Sequence, residues 1–308
     1  MRGYITDPSA ELGLALRDDL PEPSPKPDEC VIDVRAFAVN RGEMNLLQQR
    51  ANGWTPGQDV AGVVARAAAD GSGPAVGARV VGAADLGGWS QRVNVPTDRV
   101  GMIPEQVSFA EAAALPVAGL TALRGLQMGG PLIGKQVLIT GASGGVGSFA
   151  VQLAKIAGAH VTGHVSGEHR VETARALGAD RVVTVLDEST GPFDLVFDGV
   201  GGQLLVDAIH RLAEGGTATA YGMASGERSS IAFGDFRNAP GGKLQGFGVY
   251  RTDVSTFGRD LSYLADLIAA GRLHVHVGAT RDWSQAVAVI EQFRGHQTTG
   301  KVVFTVGG

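Results

Sequence analysis

Three glycines spaced three residues apart form the strongest candidate for a ligand-binding segment. Gly141, Gly144 and Gly147 follow the short apolar run QVLIT, residues 136–140, and precede a stretch with helical periodicity. Residues without a Cβ let a diphosphate approach the backbone and the positive N-terminus of the next helix. Between a strand and a helix such a string indicates dinucleotide binding. The turn therefore predicts cofactor contacts at Gly141, Ser143, Gly144, Gly145 and Val146.

The end of the next apolar run bears on which dinucleotide is bound. Enzymes specific for NAD usually place an acidic residue there to hold the ribose hydroxyls. This chain has Ser166 after Val165, and Arg170 follows four residues later. A guanidinium binds a phosphate through two parallel hydrogen bonds, which suits the 2′-phosphate of NADPH. Glu168 adds negative charge nearby, so NADH stays as the less favoured alternative.

Cysteine and histidine residues give no metal-binding pattern. The single cysteine, Cys30, lies in a strand-like run and has no ligand-spaced partner. His160 and His164 are four residues apart, but on a strand such residues stand about 13 Å apart. We interpret both as surface or satisfied core histidines, and we expect no zinc ion.

Two kinds of pattern follow each other along the chain. The first hundred residues predict strands at 30–38, 60–66, 78–81 and 90–95, separated by Gly- and Pro-rich turns. Helix and strand then alternate. Helices are predicted over 109–126, 146–156, 168–177, 204–213, 257–270 and 283–293, and strands over 136–140, 160–165, 181–185, 194–198, 217–221 and 301–306. The pattern predicts an α/β protein: a β-rich, barrel-like domain and a doubly wound parallel sheet.

Composition excludes several function classes. A chain of 308 residues with 44% hydrophobic and 19% charged residues is typical of a folded protein, and its length favours two domains. The formal net charge of −5 argues against a nucleic-acid partner. No apolar run approaches the roughly 18 residues of a membrane span, and the first ten residues lack a signal-peptide pattern. We expect a cytoplasmic protein with no membrane partner.

Eight segments in collinear order carry a family resemblance. They are AFAVN (36–40), PGQDVAGVV (56–64), GGWSQRVNVP (87–96), AAALPVAGLTAL (112–123), GASGGVGSFAVQLAK (141–155), ARALGAD (174–180), FDLVFDGVGG (193–202) and TTGKVVFTV (298–306). The chain thereby resembles the zinc-free quinone oxidoreductase (zeta-crystallin-like) branch of the medium-chain dehydrogenase/reductase superfamily. The resemblance implies a GroES-like β-rich substrate domain over 1–113, completed by 272–308, and a Rossmann NADPH-binding domain over 114–271.

The resemblance also implies site residues. Asn40 and Thr121 are expected near the nicotinamide. Further cofactor contacts are expected at Ser166, Arg170, Val200, Gly201, Tyr221, Phe247, Gly248, Val249 and Lys301. Relatives often have a Tyr five residues after the matched Asn, where this chain has Asn45, and an amide is no general acid at neutral pH. The catalytic candidates are therefore weak ones: Asn40, Asn45 and Tyr250.

The absence of zinc ligands bears on the substrate. The zinc-dependent branch has a Gly-His-Glu triplet where this chain reads Gly57-Gln58-Asp59. Without a metal ion on the carbonyl oxygen, the acceptor must itself spread the charge that a hydride brings. The hypothesis is an NADPH-dependent, zinc-independent oxidoreductase acting on a quinone or an α,β-unsaturated carbonyl. Two alternatives remain: an enoyl-thioester or polyketide tailoring enoyl reductase, and a non-catalytic NADPH-binding protein. A homodimer through the sheet edge at 237–250 is expected from the resemblance.

Overall fold

A computed structural model describes residues 1–295 and 297–307. They form two compact units: unit 1 combines Met1–Leu120 with the described residues from Asp253 onward, and unit 2 comprises Thr121–Thr252. No helix in the described ranges is long and apolar enough to cross a membrane.

The strands, in chain order, are β1 (Gly3–Thr6), β2 (Leu14–Arg17), β3 (Glu29–Val39), β4 (Asp59–Arg66), β5 (Arg79–Ala83), β6 (Arg92–Pro96), β7 (Val100–Met102), β8 (Gln136–Thr140), β9 (His160–His164), β10 (Arg181–Val183), β11 (Phe193–Asp198), β12 (Leu212–Ala220), β13 (Lys243–Gly246), β14 (Val277–Asp282) and β15 (Lys301–Thr305). The helices are α1 (Arg41–Gln49), α2 (Phe109–Ala113), α3 (Pro116–Gln127), α4 (Gly145–Ile156), α5 (Val171–Ala176), α6 (Gly202–Ile209), α7 (Phe257–Ala269) and α8 (Ala286–Arg294).

Unit 1 is organised around the long strand β3. This strand pairs antiparallel with β4, β6 and β15, in a sheet whose main path runs β14–β15–β3–β4–β5–β7. Phe37 of β3 is fully buried, and its ring centroid lies 5.7 Å from that of Trp89 and 5.3 Å from that of Phe304. Aromatic rings at these separations stabilise a core beyond the area they bury. Residues from both ends of the chain therefore share one core.

Helix α7 packs against β7 within unit 1. A Cβ on Gly101 would lie only 2.7 Å from the Cβ of Leu261, so the strand backbone touches the helix directly. The compact units divide after Leu120 and Thr252, whereas the sequence placed the domain boundaries after residues 113 and 271. Because α7 packs closely on β7, it belongs to unit 1, whereas the sequence placed it in the Rossmann domain.

Unit 2 contains six parallel strands in the order β10–β9–β8–β11–β12–β13. Leu138 and Ile139 are consecutive residues of β8, and both are fully buried, so both faces of the sheet are covered, as in doubly wound folds. The strand order reverses between β8 and β11, and ligands bind such sheets at the carboxyl ends of the strands beside this switch point. The predicted α/β class, with a β-rich part and a doubly wound parallel sheet, is confirmed by this topology.

Four predicted helices have different bounds in the structure. Those predicted over 168–177 and 283–293 begin with 3₁₀ turns, at 168–170 and 283–285, before α5 and α8. The helix predicted over 109–126 is divided into α2 and α3, because Pro116 cannot continue a helix but suits the first position of a new one. The helix predicted over 204–213 ends at Ile209, and Leu212 already belongs to β12. Helix α1 and strands β1, β2, β7, β13 and β14 were not given bounds from the sequence, because each is short or lacks strong periodicity.

Candidate active site

The glycine-rich segment forms a tight turn between β8 and α4. Gly141 has φ +63°, a conformation that favours glycine, and its carbonyl accepts a hydrogen bond from the Gly144 N–H at 2.8 Å. A Cβ on Gly147 would overlap the carbonyl of Gly141, and a Cβ on Gly144 would lie 3.1 Å from the same oxygen. The turn thus brings bare backbone to the N-terminus of a 12-residue helix, which is the arrangement that binds a diphosphate.

The buried carboxylate of Asp198 links the central strands β8 and β11 by hydrogen bonds next to this turn. Thr140, the last residue of β8, donates its hydroxyl proton to Asp198 Oδ1 at 2.6 Å. The other oxygen of Asp198 accepts from the Gly201 N–H at 2.9 Å, and Gly199 N–H donates to Thr140 Oγ1 at 3.1 Å. Burial raises the pKa of the Asp198 carboxyl above its ordinary value. These hydrogen bonds hold the loop of Val200 and Gly201 beside the glycine turn.

The ends of β12 and β13 supply the next group of predicted residues. Tyr221 stacks on Phe197, with ring centroids 4.3 Å apart, and burial together with the charge of Asp198 raises the pKa of its phenol. Phe247 and Val249 are buried, while Gly248 between them is exposed. Tyr250 follows in a short 3₁₀ turn. Tyr221 thus lies close to the buried carboxylate of Asp198.

Ser166 and Arg170 lie on the loop that follows β9. The serine is exposed, and the Arg170 guanidinium donates from Nε to His169 Nε2 at 3.1 Å. The Glu168 carboxylate accepts a long hydrogen bond of 3.5 Å from the hydroxyl of Thr184. The structure thus places both residues on the one loop that follows β9.

Unit 1 holds a second candidate site, a buried cluster of Asn40, Glu43, Asp59 and Lys301. The ammonium of Lys301 donates to Asn40 Oδ1 at 2.6 Å, to Asp59 Oδ2 at 2.9 Å and, more weakly, to the Val39 carbonyl at 3.4 Å. Asn40 Nδ2 donates to Asp59 Oδ2 at 2.9 Å. All three protons of the ammonium are thus directed at groups of the protein itself.

Glu43 closes the cluster at the start of α1. It is fully buried, and its two oxygens accept from the backbone N–H groups of Asn40 at 2.8 Å and Gln58 at 2.9 Å. Burial, and secondarily the charge of Asp59, raise the pKa of Glu43 to about 8. Two carboxylates here share one ammonium, and a second ionised carboxylate would leave a buried net charge. Glu43 therefore keeps its proton well above the pH at which a free glutamate loses it.

This proton gives a testable pH dependence of stability. Between the unfolded pKa of about 4.3 and the folded value of about 8, the folded chain holds one more proton than the unfolded chain. The contribution of Glu43 is complete below this window and is lost as the pH rises through it, by at most about 1.4 kcal/mol per pH unit. We expect Glu43→Gln to remove this slope in urea unfolding measured from pH 5 to 8.5.

Glu111 offers a matched control for that experiment. It closes a capping box at the start of α2, as Glu43 does in α1, but its side chain is partly exposed. The variant Glu111→Gln should keep the slope of the parent protein. An unchanged slope in Glu43→Gln would show that the buried carboxyl does not hold the proton.

The remaining predicted residues lie apart from these groups. Asn45 is exposed on α1, on a different side of the helix from the buried Glu43, and Thr121 is buried in α3. Within residues 1–295 and 297–307, no three His, Cys, Asp or Glu side chains form a group that could hold a metal ion. Asn40 thus contacts Lys301 directly, whereas Asn45 lies outside that cluster.

Two buried carboxylates, Glu43 and Asp59, were not among the predicted site residues. A signal for Glu43 was present, because an Asn followed three residues later by Glu is the spacing of a capping box. Asp59 had been noted only as the residue that stands in place of a zinc-site glutamate. Its second oxygen accepts from the Val117 N–H at 2.8 Å, near the N-terminus of α3, a contact that no sequence spacing indicates.

Comparison with known families and proteins agrees with this architecture. Residues 26–120 match the alcohol dehydrogenase GroES-like domain, and residues 145–269 match the zinc-binding dehydrogenase domain. A mitochondrial NAD(P)H oxidoreductase of Bos taurus is 30% identical over 327 residues, covering 91% of this chain and 82% of its own length. A mycobacterial protein, whose structure was solved with NADPH, has a TM-score of 0.87 at 25% identity, covering 99% of this chain and 100% of its own.

Two further relatives match over shorter stretches. A chloroplast envelope quinone oxidoreductase homologue of Arabidopsis thaliana is 37% identical over 180 residues, or 53% of this chain. A 2-methylene-furan-3-one reductase of Solanum lycopersicum is 34% identical over 208 residues, or 61% of this chain. Each alignment spans 54% of the relative's own length.

The fold and the glycine turn define a chain built like the nucleotide-dependent dehydrogenases, with a GroES-like part and a Rossmann part. The chain belongs to the medium-chain dehydrogenase/reductase superfamily, in its quinone oxidoreductase branch.

Proposed function

We propose that the protein is an NADPH-dependent, zinc-independent oxidoreductase that reduces a quinone or an α,β-unsaturated carbonyl. The observation that carries the proposal is the glycine turn at the switch point of the parallel sheet, where a Cβ on Gly147 would overlap the Gly141 carbonyl. Support for NADPH comes from the mycobacterial relative that was solved with this dinucleotide. Support for a conjugated acceptor comes from relatives named for a quinone and for a 2-methylene-furan-3-one.

The residues of unit 2 fit the dinucleotide. Bound NADPH would supply a hydride, two electrons with one proton, to the acceptor. The N–H groups at the start of α4 would hold its diphosphate, next to the loop of Val200 and Gly201. Ser166 and Arg170 would hold the 2′-phosphate, with Arg170 favouring NADPH over NADH. Thr121, Tyr221, Phe247, Gly248 and Val249 remain proposed contacts.

In unit 1, Lys301 is proposed to position Asn40, because its ammonium donates to Asn40 Oδ1 and to Asp59 Oδ2. All polar atoms of the Asn40 amide are held by Lys301, Asp59 and Glu43, so the orientation of this amide is fixed before any ligand binds. We assign Asn40 to the nicotinamide end of the cofactor. A preset amide contributes to binding without the entropic cost of ordering a side chain.

The acceptor takes its proton from water in this proposal. Hydride addition to a conjugated acceptor places the negative charge on oxygen, as a hydroquinone anion or an enolate, and solvent protonates it. Asn45 has no acidic proton and is exposed on α1. We expect Asn45→Ala to keep quinone turnover within about twofold, whereas loss of a general acid costs about 10²- to 10⁴-fold. A loss of that larger size in steady-state assays would contradict solvent protonation.

The function is tested by NADPH oxidation with a panel of 1,4-quinones and small enones. Turnover with members of either class supports the proposal. Reduction of a carrier-bound or CoA enoyl thioester, with quinones inert, would instead identify an enoyl reductase. Tight NADPH binding without turnover of any acceptor would identify a non-catalytic binding protein and overturn the proposal.

A homodimer in the cytoplasm completes the proposal. Strand β13 forms an edge of the six-stranded sheet, and three of its four residues are exposed. An exposed edge strand is a template for pairing with another chain. Light scattering on the purified protein measures the mass, and a monomer would contradict this assembly.

A further inference from the structure

Asp59 is a buried carboxylate that contacts three separate segments of the chain. It is the first residue of β4, and its side chain is fully buried. Its Oδ2 accepts hydrogen bonds from Lys301 Nζ and Asn40 Nδ2, both at 2.9 Å. Its Oδ1 accepts from the backbone N–H of Val117 at 2.8 Å. The two oxygens thus hold different parts of the chain, since one contacts the Asn40 amide and the other contacts the start of α3.

The contact with Val117 fixes the first turn of α3. The helix begins at Pro116, which has no N–H, so Val117 carries the first N–H of the helix. The N–H groups of a first turn have no partner within the helix, and a carboxylate there also interacts favourably with the helix dipole. Thr121 follows Val117 by four residues and therefore lies on the same face of α3, one turn further on. Asp59 thereby holds the start of the helix that carries Thr121.

Asn40 and Thr121 are the two residues that the family resemblance places near the nicotinamide. Asp59 holds the first of them directly and the second through the start of its helix. We propose that Asp59 is a positioning residue for the nicotinamide end of the dinucleotide. It orders both contacts before the cofactor binds, so binding does not have to meet the entropic cost of ordering them. This inference rests on the proposed function.

Two substitutions of Asp59 disturb these contacts in different ways. In Asp59→Asn the side chain has one acceptor oxygen and one NH₂ donor. The NH₂ must face either the N–H of Val117 or the donors of Lys301 and Asn40, so only one set of contacts remains. Glu43 can ionise in this variant and keep the cluster neutral, and we therefore expect the protein to fold. Asp59→Glu keeps the charge but moves both oxygens by one methylene group.

Calorimetric titration with NADPH and with 2′-phospho-AMP, which lacks the nicotinamide half, tests the inference without relying on turnover. We expect each Asp59 variant to bind NADPH about tenfold more weakly than the parent protein, the effect of about one lost hydrogen bond. Affinity for 2′-phospho-AMP should stay within about twofold. Asp33→Asn is the matched control, because Asp33 pairs with Arg92 at a partly exposed site, and it should bind both ligands as the parent does. Thermal unfolding checks that each variant is folded.

The outcomes separate this inference from the proposed function. A folded Asp59→Asn protein with parent affinity for NADPH overturns the inference, and if this variant does not fold, Asp59→Glu decides in the same way. Equal weakening of both ligands also overturns it, since a carboxylate that only stabilises the fold would not distinguish the two halves of the dinucleotide. Failure of the parent protein to bind NADPH overturns both proposals. If the parent binds NADPH but reduces no acceptor, the proposed function fails while the affinities still decide the inference.

Discussion

Replacing Lys301 with methionine is expected to lower the free energy of unfolding by about 3–5 kcal/mol, because it removes one partner of a buried ion pair. The side chains of Lys301 and Asp59 are almost fully buried, with Nζ and Oδ2 2.9 Å apart. Without the ammonium, Asp59 would be a buried carboxylate next to Glu43. Methionine keeps the length of the stem, so loss of packing makes only a small contribution. Urea unfolding at pH 8 measures the effect.

The pH dependence distinguishes a lost charge from a lost contact. In Lys301→Met the cluster carries an uncompensated negative charge, which a bound proton removes, so the folded variant regains stability as the pH falls. The deficit should therefore shrink from pH 8 to pH 5. Lys135→Met is the control, because Lys135 pairs at 2.9 Å with Asp194 at a partly exposed site, and such pairs contribute about 1 kcal/mol or less. A deficit that is the same at both pH values would contradict the charge argument.

The second large effect is expected from Gly147→Ala. The added Cβ would overlap the Gly141 carbonyl and lie 2.9 Å from the Cα of Ala142, and both are backbone atoms of the turn that cannot swing aside. Overpacking of this kind costs about 1–3 kcal/mol. Since the start of α4 must shift, we also expect NADPH affinity to fall by about 10- to 100-fold, the cost of one lost hydrogen bond to a charged group. Unfolding and calorimetric titration measure the two effects.

Gly42→Ala is the matched control for this substitution. Gly42 lies in helix α1, and among the described residues a Cβ there would have no atom within 4 Å beyond its chain neighbours and the backbone of its own helix. The same change should stabilise the protein by about 0.5–1 kcal/mol, because alanine is the better helix former. A Gly147→Ala protein with parent affinity for NADPH would contradict the role given to the turn.

Sequence reasoning predicted the parts of the fold where local pattern and tertiary structure agree. The run QVLIT is strand β8 at its predicted bounds, since a strand buried on both faces must be apolar throughout. It did not predict the cluster of Lys301, whose contacts join residues more than 240 positions apart. Nor could it tell that His164 has an unpaired nitrogen, because satisfaction of a polar atom depends on neighbours from other strands. Local sequence patterns do not indicate side-chain contacts between residues that are far apart in the chain.

The pairing of β15 with β3 has a consequence for synthesis on the ribosome. Residues 36–39 pair antiparallel with residues 302–305, which are synthesised much later. At roughly 5–20 residues per second, the time between the synthesis of the two segments is about 13 to 53 s. The parallel sheet of unit 2 is complete in translation at residue 246, so it can form while the edge of β3 is still open. During this interval β3 can pair with β4 on one side, but the other edge of its apolar residues 36–39 is exposed, and this edge is what a chaperone would have to shield.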